Sequence, residues 1–159
     1  MDFNRLSWTQ GVGALIRCFY NADEDVTRWV EQELDTPLPR PSIAIGVLDG
    51  ETPIAGVTYT HYLEDHHTGQ PRSLEMSIAS TSARWCTRNT LNQFFRYPFQ
   101  TVGVERVSVT IHKKNKHTRN FVERLGFVYE GKGRRAWPTG GDAVVYSMLP
   151  HECRWINHV

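Results

Sequence analysis

The chain has 159 residues, 40% of them hydrophobic and 22% charged, which is the size and composition of one globular domain, 1–159, with a single sizeable core. Eighteen basic residues against 17 acidic ones leave a net charge of +1, so neither a protein that coats nucleic acid nor a polybasic membrane binder is indicated. No apolar run is long enough to span a bilayer and the start, Met-Asp-Phe-Asn-Arg, lacks a basic n-region, so the expected compartment is the cytoplasm. Cys18, Cys86 and Cys153 are odd in number, far apart and form no C-x-x-C pair, which argues against a disulfide framework and a structural zinc. They are expected to behave as small buried or half-buried apolar residues.

In chain order, residues 7–34 have helical periodicity. Val12, Leu15, Ile16 and Phe19 form one stripe, and Val26, Trp29, Val30 and Leu34 another, with a break near Asn21. Three prolines among residues 37–41 make a connector. Residues 42–48 and 54–63 are rich in β-formers and meet through Asp49-Gly50, which predicts an antiparallel hairpin. Residues 64–72 read as a loop. Residues 73–79 then alternate, with Leu74, Met76 and Ile78 on one face and Glu75, Ser77 and Ala79 on the other.

Residues 84–97 predict a helix with Leu91, Phe94 and Phe95 inward, stopped by Pro98; residues 106–111 predict an alternating strand. Strand, helix and strand in that order imply a parallel crossover. Asn115 caps the next helix, whose inward stripe is Thr118, Phe121, Val122 and Leu125, and Gly126 supplies its left-handed stop. Residues 127–134 and 142–148 are two last strands around a turn with Pro138, Gly140 and Gly141. The tail, with Glu152-Cys-Arg-Trp155, is expected to close the domain as a short helix. These elements make a mixed α+β fold, an α/β layering of helices over a mixed sheet.

The segment from Asn115 to Phe127, with Asn115, Thr118, Gly126 and Phe127 at the positions of an N-x-x-(S/A)…GF pattern, resembles the last helix-to-strand junction of the GNAT superfamily of N-acetyltransferases. The resemblance extends over roughly residues 42–156 and implies a mostly antiparallel central sheet, flanking helices and a splayed parallel strand pair. It implies acetyl-coenzyme A as acyl donor, no metal, and an amine acceptor, small molecule or peptide, in a monomer or homodimer. Near-neutral charge disfavours nucleic acid as partner. In that family the pantetheine arm lies where the paired strands part, here residues 73–79 with Ser77 and Ile78, against residues 106–111.

The family's phosphate signature, (Q/R)-x-x-G-x-(G/A), aligns with Arg84-Trp-Cys-Thr-Arg-Asn89, where Thr87 and Asn89 replace the small residues. The stretch is similar instead to a divergent subgroup with a Trp-x-Thr-Arg turn followed by Tyr-Pro-Phe, here Tyr97-Pro98-Phe99. Arg84, Arg88 and the backbone amides of Cys86, Thr87, Arg88 and Asn89 are the implied phosphate contacts, while Trp85 is expected to pack under the sheet. Lys113, Lys114, Lys116 and Arg119 are candidates for the adenosine 3′-phosphate. Asn115 either bonds the pantetheine or simply caps its helix.

Glu75 stands where many family members place the carboxylate that accepts the amine's proton, and it is the candidate general base. The position of the family's usual acid, a tyrosine four residues before Gly126, is Val122. Tyr129, Tyr146 or solvent would replace it, or the thiolate would leave unaided, and Tyr146 is the named candidate. His61, Glu64, Asp65, His66 and His67 lack the i, i+4 spacing of a helical metal pair and read as a polar loop beside the acceptor. The rival reading is a catalytically silent acyl-coenzyme A binding module with regulatory use; a weaker one is a DNA-associated modifying protein.

Overall fold

The structure, a computed structural model, describes residues 15–157. Val12 and the start of the first predicted helix lie outside them. The second half of that stripe is a strand: β1 (Ile16–Phe19) pairs antiparallel with β2 (Ile43–Asp49) in the register Ile16↔Asp49 to Phe19↔Gly46. Ile16 and Phe19, three apart, fit a helical stripe on paper, but four residues of Ile-Arg-Cys-Phe are too few to nucleate a helix against an available strand edge. Asn21 turns the chain at φ 62 and helix α1 (Asp23–Leu34) begins. Its first turn, Asp23-Glu24-Asp25, complements the positive end of the helix dipole. Val26 and Val30 are buried, whereas Leu34 stays exposed.

The hairpin predicted at Asp49-Gly50 joins β2 to β3 (Thr52–Glu64). Then come β4 (Pro71–Ser80), a 3₁₀ turn at Ala83–Trp85, and helix α2 (Arg88–Arg96). Pro98 does not stop that helix. A π-helical segment, Tyr97–Val102, carries the chain through it; the proline has no amide to give the Phe94 carbonyl four residues earlier, and that carbonyl accepts from the Tyr59 hydroxyl instead. The rest is β5 (Arg106–His112), α3 (Lys116–Leu125), β6 (Val128–Gly133), β7 (Ala143–Met148) and a single 3₁₀ turn, Pro150–Glu152, in place of the expected closing helix. The strand order is β1-β2-β3-β4-β5-β7-β6, with β4 and β5 the parallel pair and the other registered neighbours antiparallel. This is the mixed sheet with flanking helices that the sequence predicts.

The described residues group into two compact units, residues 15–60 with 77–94 and residues 61–76 with 95–157. In the first, Phe19, Val26, Val30, Ala44, Leu48 and Ala79 form one core cluster. Trp85 is buried and stacks on Phe94 at 5.5 Å, and the buried Tyr59 hydroxyl donates to the Phe94 carbonyl at 2.7 Å. In the second, Phe95 meets Phe99 and Phe127 with ring centroids 6.4 and 5.9 Å away. Asn115 caps α3 by accepting from the Thr118 amide at 3.2 Å, and Gly126 ends it at φ 113, a conformation that favours glycine.

Also in the second unit, β6 bulges between Tyr129 and Gly131, which turns Glu130 toward the neighbouring strands. Its carboxylate takes a bidentate pair from Arg106, one bond at 2.6 Å, and a bond from the Ser147 hydroxyl at 2.5 Å. The Arg106 guanidinium first and Ser147 second hold its pKa down from 4.5 to about 2. A depressed carboxylate stabilises the fold above its unfolded pKa, and that contribution disappears as pH falls from about 4.5 toward about 2. The side chain is 36% exposed, so solvent screening holds the effect to about 1 kcal/mol. Urea denaturation of Glu130→Gln is expected to show that deficit at pH 7 and a narrowing gap below pH ~4.5; a gap of constant size would reject the pairing as its source.

Candidate active site

The parallel ladder between β4 and β5 is short. Ser73↔Arg106, Leu74↔Val107 and Glu75↔Ser108 are paired and there it ends, although β4 runs on to Ser80 and β5 to His112. The burial alternation of β4 changes at the same place. Leu74 and Met76 are buried as predicted, but Ala79, not Ile78, is the next buried residue; Ser77 and Ile78 are both half-buried. The expected period of two slips by one position beyond Met76, as it does where a strand bends away from regular pairing.

Glu75 therefore sits at the last registered pair. Its Oε2 accepts a hydrogen bond from the Thr110 hydroxyl at 3.1 Å, and its Oε1 lies 3.7 Å from His61 Nδ1. The side chain is 24% exposed, reachable from solvent, anchored by Thr110 on one side and facing the His61 ring on the other. Thr110 is a site residue that sequence reasoning missed. Its signal lies in the alternation of β5, where Arg106, Ser108, Thr110 and His112 share the polar face.

Tyr146 does not join this constellation. Glu75 pairs with Ser108 and Ser108 with Ser147, so those residues share one face of the sheet. Tyr146 pairs with Val109 and lies on the other. It is fully buried, with its hydroxyl accepting from Arg119 Nε at 3.0 Å and donating to Glu123 Oε1 at 2.9 Å. Burial first, and the Glu123 carboxylate with it, raise its pKa against the opposing pull of Arg119. Arg119 is engaged in the same network, since Nη1 also donates to the Lys113 carbonyl at 2.9 Å and the guanidinium lies 6.0 Å from the centre of the Tyr129 ring. Tyr146 and Arg119 thus lock α3 onto β7. Lys113, Lys114 and Lys116 are exposed.

In the first unit, the segment from Arg84 to Asn89 divides its groups between local turns and open positions. The Cys86 amide donates to the Ala83 carbonyl at 3.2 Å and the Thr87 amide to Trp85 at 2.8 Å. Thr87 caps α2, its hydroxyl accepting from the Thr90 amide at 3.1 Å and its carbonyl from Leu91 at 3.0 Å. Helix α2 thus starts at Arg88, four residues later than predicted, and the amides of Arg88 and Asn89 are the first-turn donors that helix geometry leaves for an outside acceptor. Arg84 is paired with Asp49 at 2.5 Å, whereas Arg88, Asn89 and Cys86 are exposed. The expectation of a half-buried thiol fails at Cys86. Cys18 is half-buried, with burial pushing its thiol up to about 11, and Cys153 is buried.

His61, within β3, has φ 51, and its side chain is 59% exposed. Beyond it the chain turns at Asp65, whose Oδ1 accepts from the amides of His67 and Thr68 at 2.8 and 2.9 Å. Tyr62, Leu63, Glu64, Asp65, His66 and Gly69 line a shallow hollow of about 390 Å³ there. Among the described residues no three His, Cys, Asp or Glu side chains gather as a metal-ligand group, and no helix is long and apolar enough to cross a membrane.

No family model matches the sequence, and no curated protein matches it either. Solved structures do match in fold. A spermidine/spermine N-acetyltransferase from Vibrio cholerae, in mutant forms, superposes with a TM-score of 0.67 at 15% identity, over 87% of this chain and 96% of that one. The acetyltransferase of GNAT family from Streptococcus pneumoniae gives 0.63 at 12% identity, over 85% and 99%. The ribosomal-protein-S5-alanine acetyltransferase from Vibrio fischeri gives 0.63 at 12% identity, over 90% and 97%. The chain has the fold of the GNAT acetyltransferases.

Proposed function

We propose that this chain is an N-acetyltransferase that moves an acetyl group from acetyl-coenzyme A to an amine by direct attack in a ternary complex. The observation that carries the reading is the parallel ladder that stops at Glu75, with a carboxylate anchored by Thr110 at the break. A strand edge released from its ladder offers backbone donors and acceptors to an amide-containing arm such as pantetheine. In the first unit, the α2 amides of Arg88 and Asn89, with the exposed Arg88 side chain, suit a phosphate. These residues fit the donor, whereas Arg84, Cys86 and Thr87 are better explained by Asp49, the 3₁₀ turn and the cap.

An alkylamine with a pKa of about 10.4 is mostly ammonium at neutral pH, and deprotonating it costs roughly 4 to 5 kcal/mol. Glu75 is the carboxylate that assists removal of this proton, directly or through an intervening water or side chain. A thiol pKa of about 8.5 makes the coenzyme a fair leaving group without a protein acid, which agrees with the engagement of Tyr146 elsewhere and with valine at 122. The neighbours in fold include acetyltransferases named for spermidine and for a ribosomal protein, and the acceptor here is an amine of the small-molecule or peptide class.

One observation favours the silent module: the expected acid positions are the buried Val122 and Tyr146, whose hydroxyl is taken up by Arg119 and Glu123. Titration calorimetry with acetyl-coenzyme A, combined with thiol release over a panel of amines, separates the two. Saturable binding with amine-dependent thiol release is expected. Binding without release on any amine would leave the module, and no binding would remove both.

A further inference from the structure

We propose that His61 is a catalytic residue, its Nε2 receiving the proton of the attacking amine while Glu75 orients the ring from Nδ1; this rests on the acetyl-transfer reading above. Three consecutive strands of the sheet contribute. Thr110 on β5 holds Oε2 of Glu75 at 3.1 Å, so that Oε1 is turned to β3, where His61 Nδ1 stands 3.7 Å away. That separation exceeds a formed hydrogen bond, and unliganded catalytic pairs commonly tighten only when substrate arrives. One carboxylate oxygen fixed by a neutral donor and the other facing an imidazole nitrogen is the arrangement that sets a tautomer and stabilises the imidazolium that forms.

Two further observations single out His61. Its backbone is left-handed, φ 51, within a strand, a conformation that costs energy for a residue with a side chain and persists where the surroundings demand it. Its side chain is 59% exposed, so an acceptor amine can reach the ring that Glu75, at 24%, presents from below. In the balanced step, the amine nitrogen bonds to the thioester carbon, the carbon–sulfur bond breaks with its pair going to sulfur, and the amine proton goes to His61 Nε2. The imidazolium then returns that proton to solvent or to the coenzyme thiolate, giving amide and free thiol.

The left-handed backbone supplies the test. His61→Gly removes the imidazole at a position where glycine is the preferred residue, so the variant is expected to fold at least as stably and to bind acetyl-coenzyme A unchanged. Its kcat with the best amine falls about 100-fold or more. Added imidazole restores part of that rate, and His61→Gly with Glu75→Gln is no slower than the worse single variant, since the two act as a unit. If the unaltered protein releases thiol on no amine, the acetyl-transfer reading fails and this proposal with it. If it turns over and Glu75→Gln is slow while His61→Gly runs at the original rate, or if the two losses multiply, His61 alone is rejected.

Discussion

Replacing Gly46 with alanine is expected to cost about 3 kcal/mol, the upper end of what overpacking a close-packed core exacts. Gly46 faces Phe19 across the β1–β2 ladder, and a Cβ built on it would lie 2.2 Å from two carbons of the Phe19 ring, far inside any real contact. The ring cannot simply swing out. It is 3% exposed and packs in the cluster of Val26, Val30, Ala44, Leu48 and Ala79, so leaving that place forfeits its own burial as well. For a chain of this length the loss corresponds to roughly 6–12 °C in Tm. Thermal and urea denaturation measure it. Combining Gly46→Ala with Phe19→Leu, which vacates the space, should recover about 1–2 kcal/mol relative to the sum of the single changes. A Gly46→Ala protein within ~0.5 kcal/mol of the original would show that the glycine is not there to seat the ring.

How local the deciding interaction is explains why the sequence reveals some elements and conceals others. The Asp49-Gly50 hairpin and α3, opened by Asn115 and closed by Gly126, are fixed by groups within a few residues of each other, and both are legible. β1 is not, because what makes Ile16–Phe19 extended is β2, about thirty residues away in sequence. The π-helical passage through Pro98 and the slip of alternation after Met76 also depend on partners outside the local window.

The site divides in the same manner. Glu75 can be placed on the polar face of its strand by counting twos, and its register opposite Ser108 agrees with that face. Which face Tyr146 shares is a matter of register among β4, β5 and β7, and no periodicity within β7 can supply it. Thr87 carries a cap signal that the predicted start at residue 84 passes over, since Thr-Arg-Asn-Thr precedes the apolar residues of α2. The left-handed backbone of His61 has no signal, since neither glycine nor asparagine marks it.

Glu75→Gln is expected to lower kcat for amine acetylation by about 10²- to 10⁴-fold, the range that general-base assistance supplies. The substitution keeps the shape of the side chain, and the amide oxygen can still accept from Thr110, so the protein should fold and bind acetyl-coenzyme A as before. What disappears is the negative charge that assists removal of the amine's proton at the break in the ladder. A loss confined to kcat, with the coenzyme's affinity intact, marks an interaction made in the transition state; a loss confined to KM would mark one made equally in the ground state. Glu130→Gln is the matched control, because it also removes a carboxylate hydrogen-bonded across this sheet, to Arg106 and Ser147, and should lower stability while sparing turnover. Equal loss of activity in both variants would assign the effect to the charge of the sheet as a whole, and undiminished turnover in Glu75→Gln would remove this carboxylate from the chemistry.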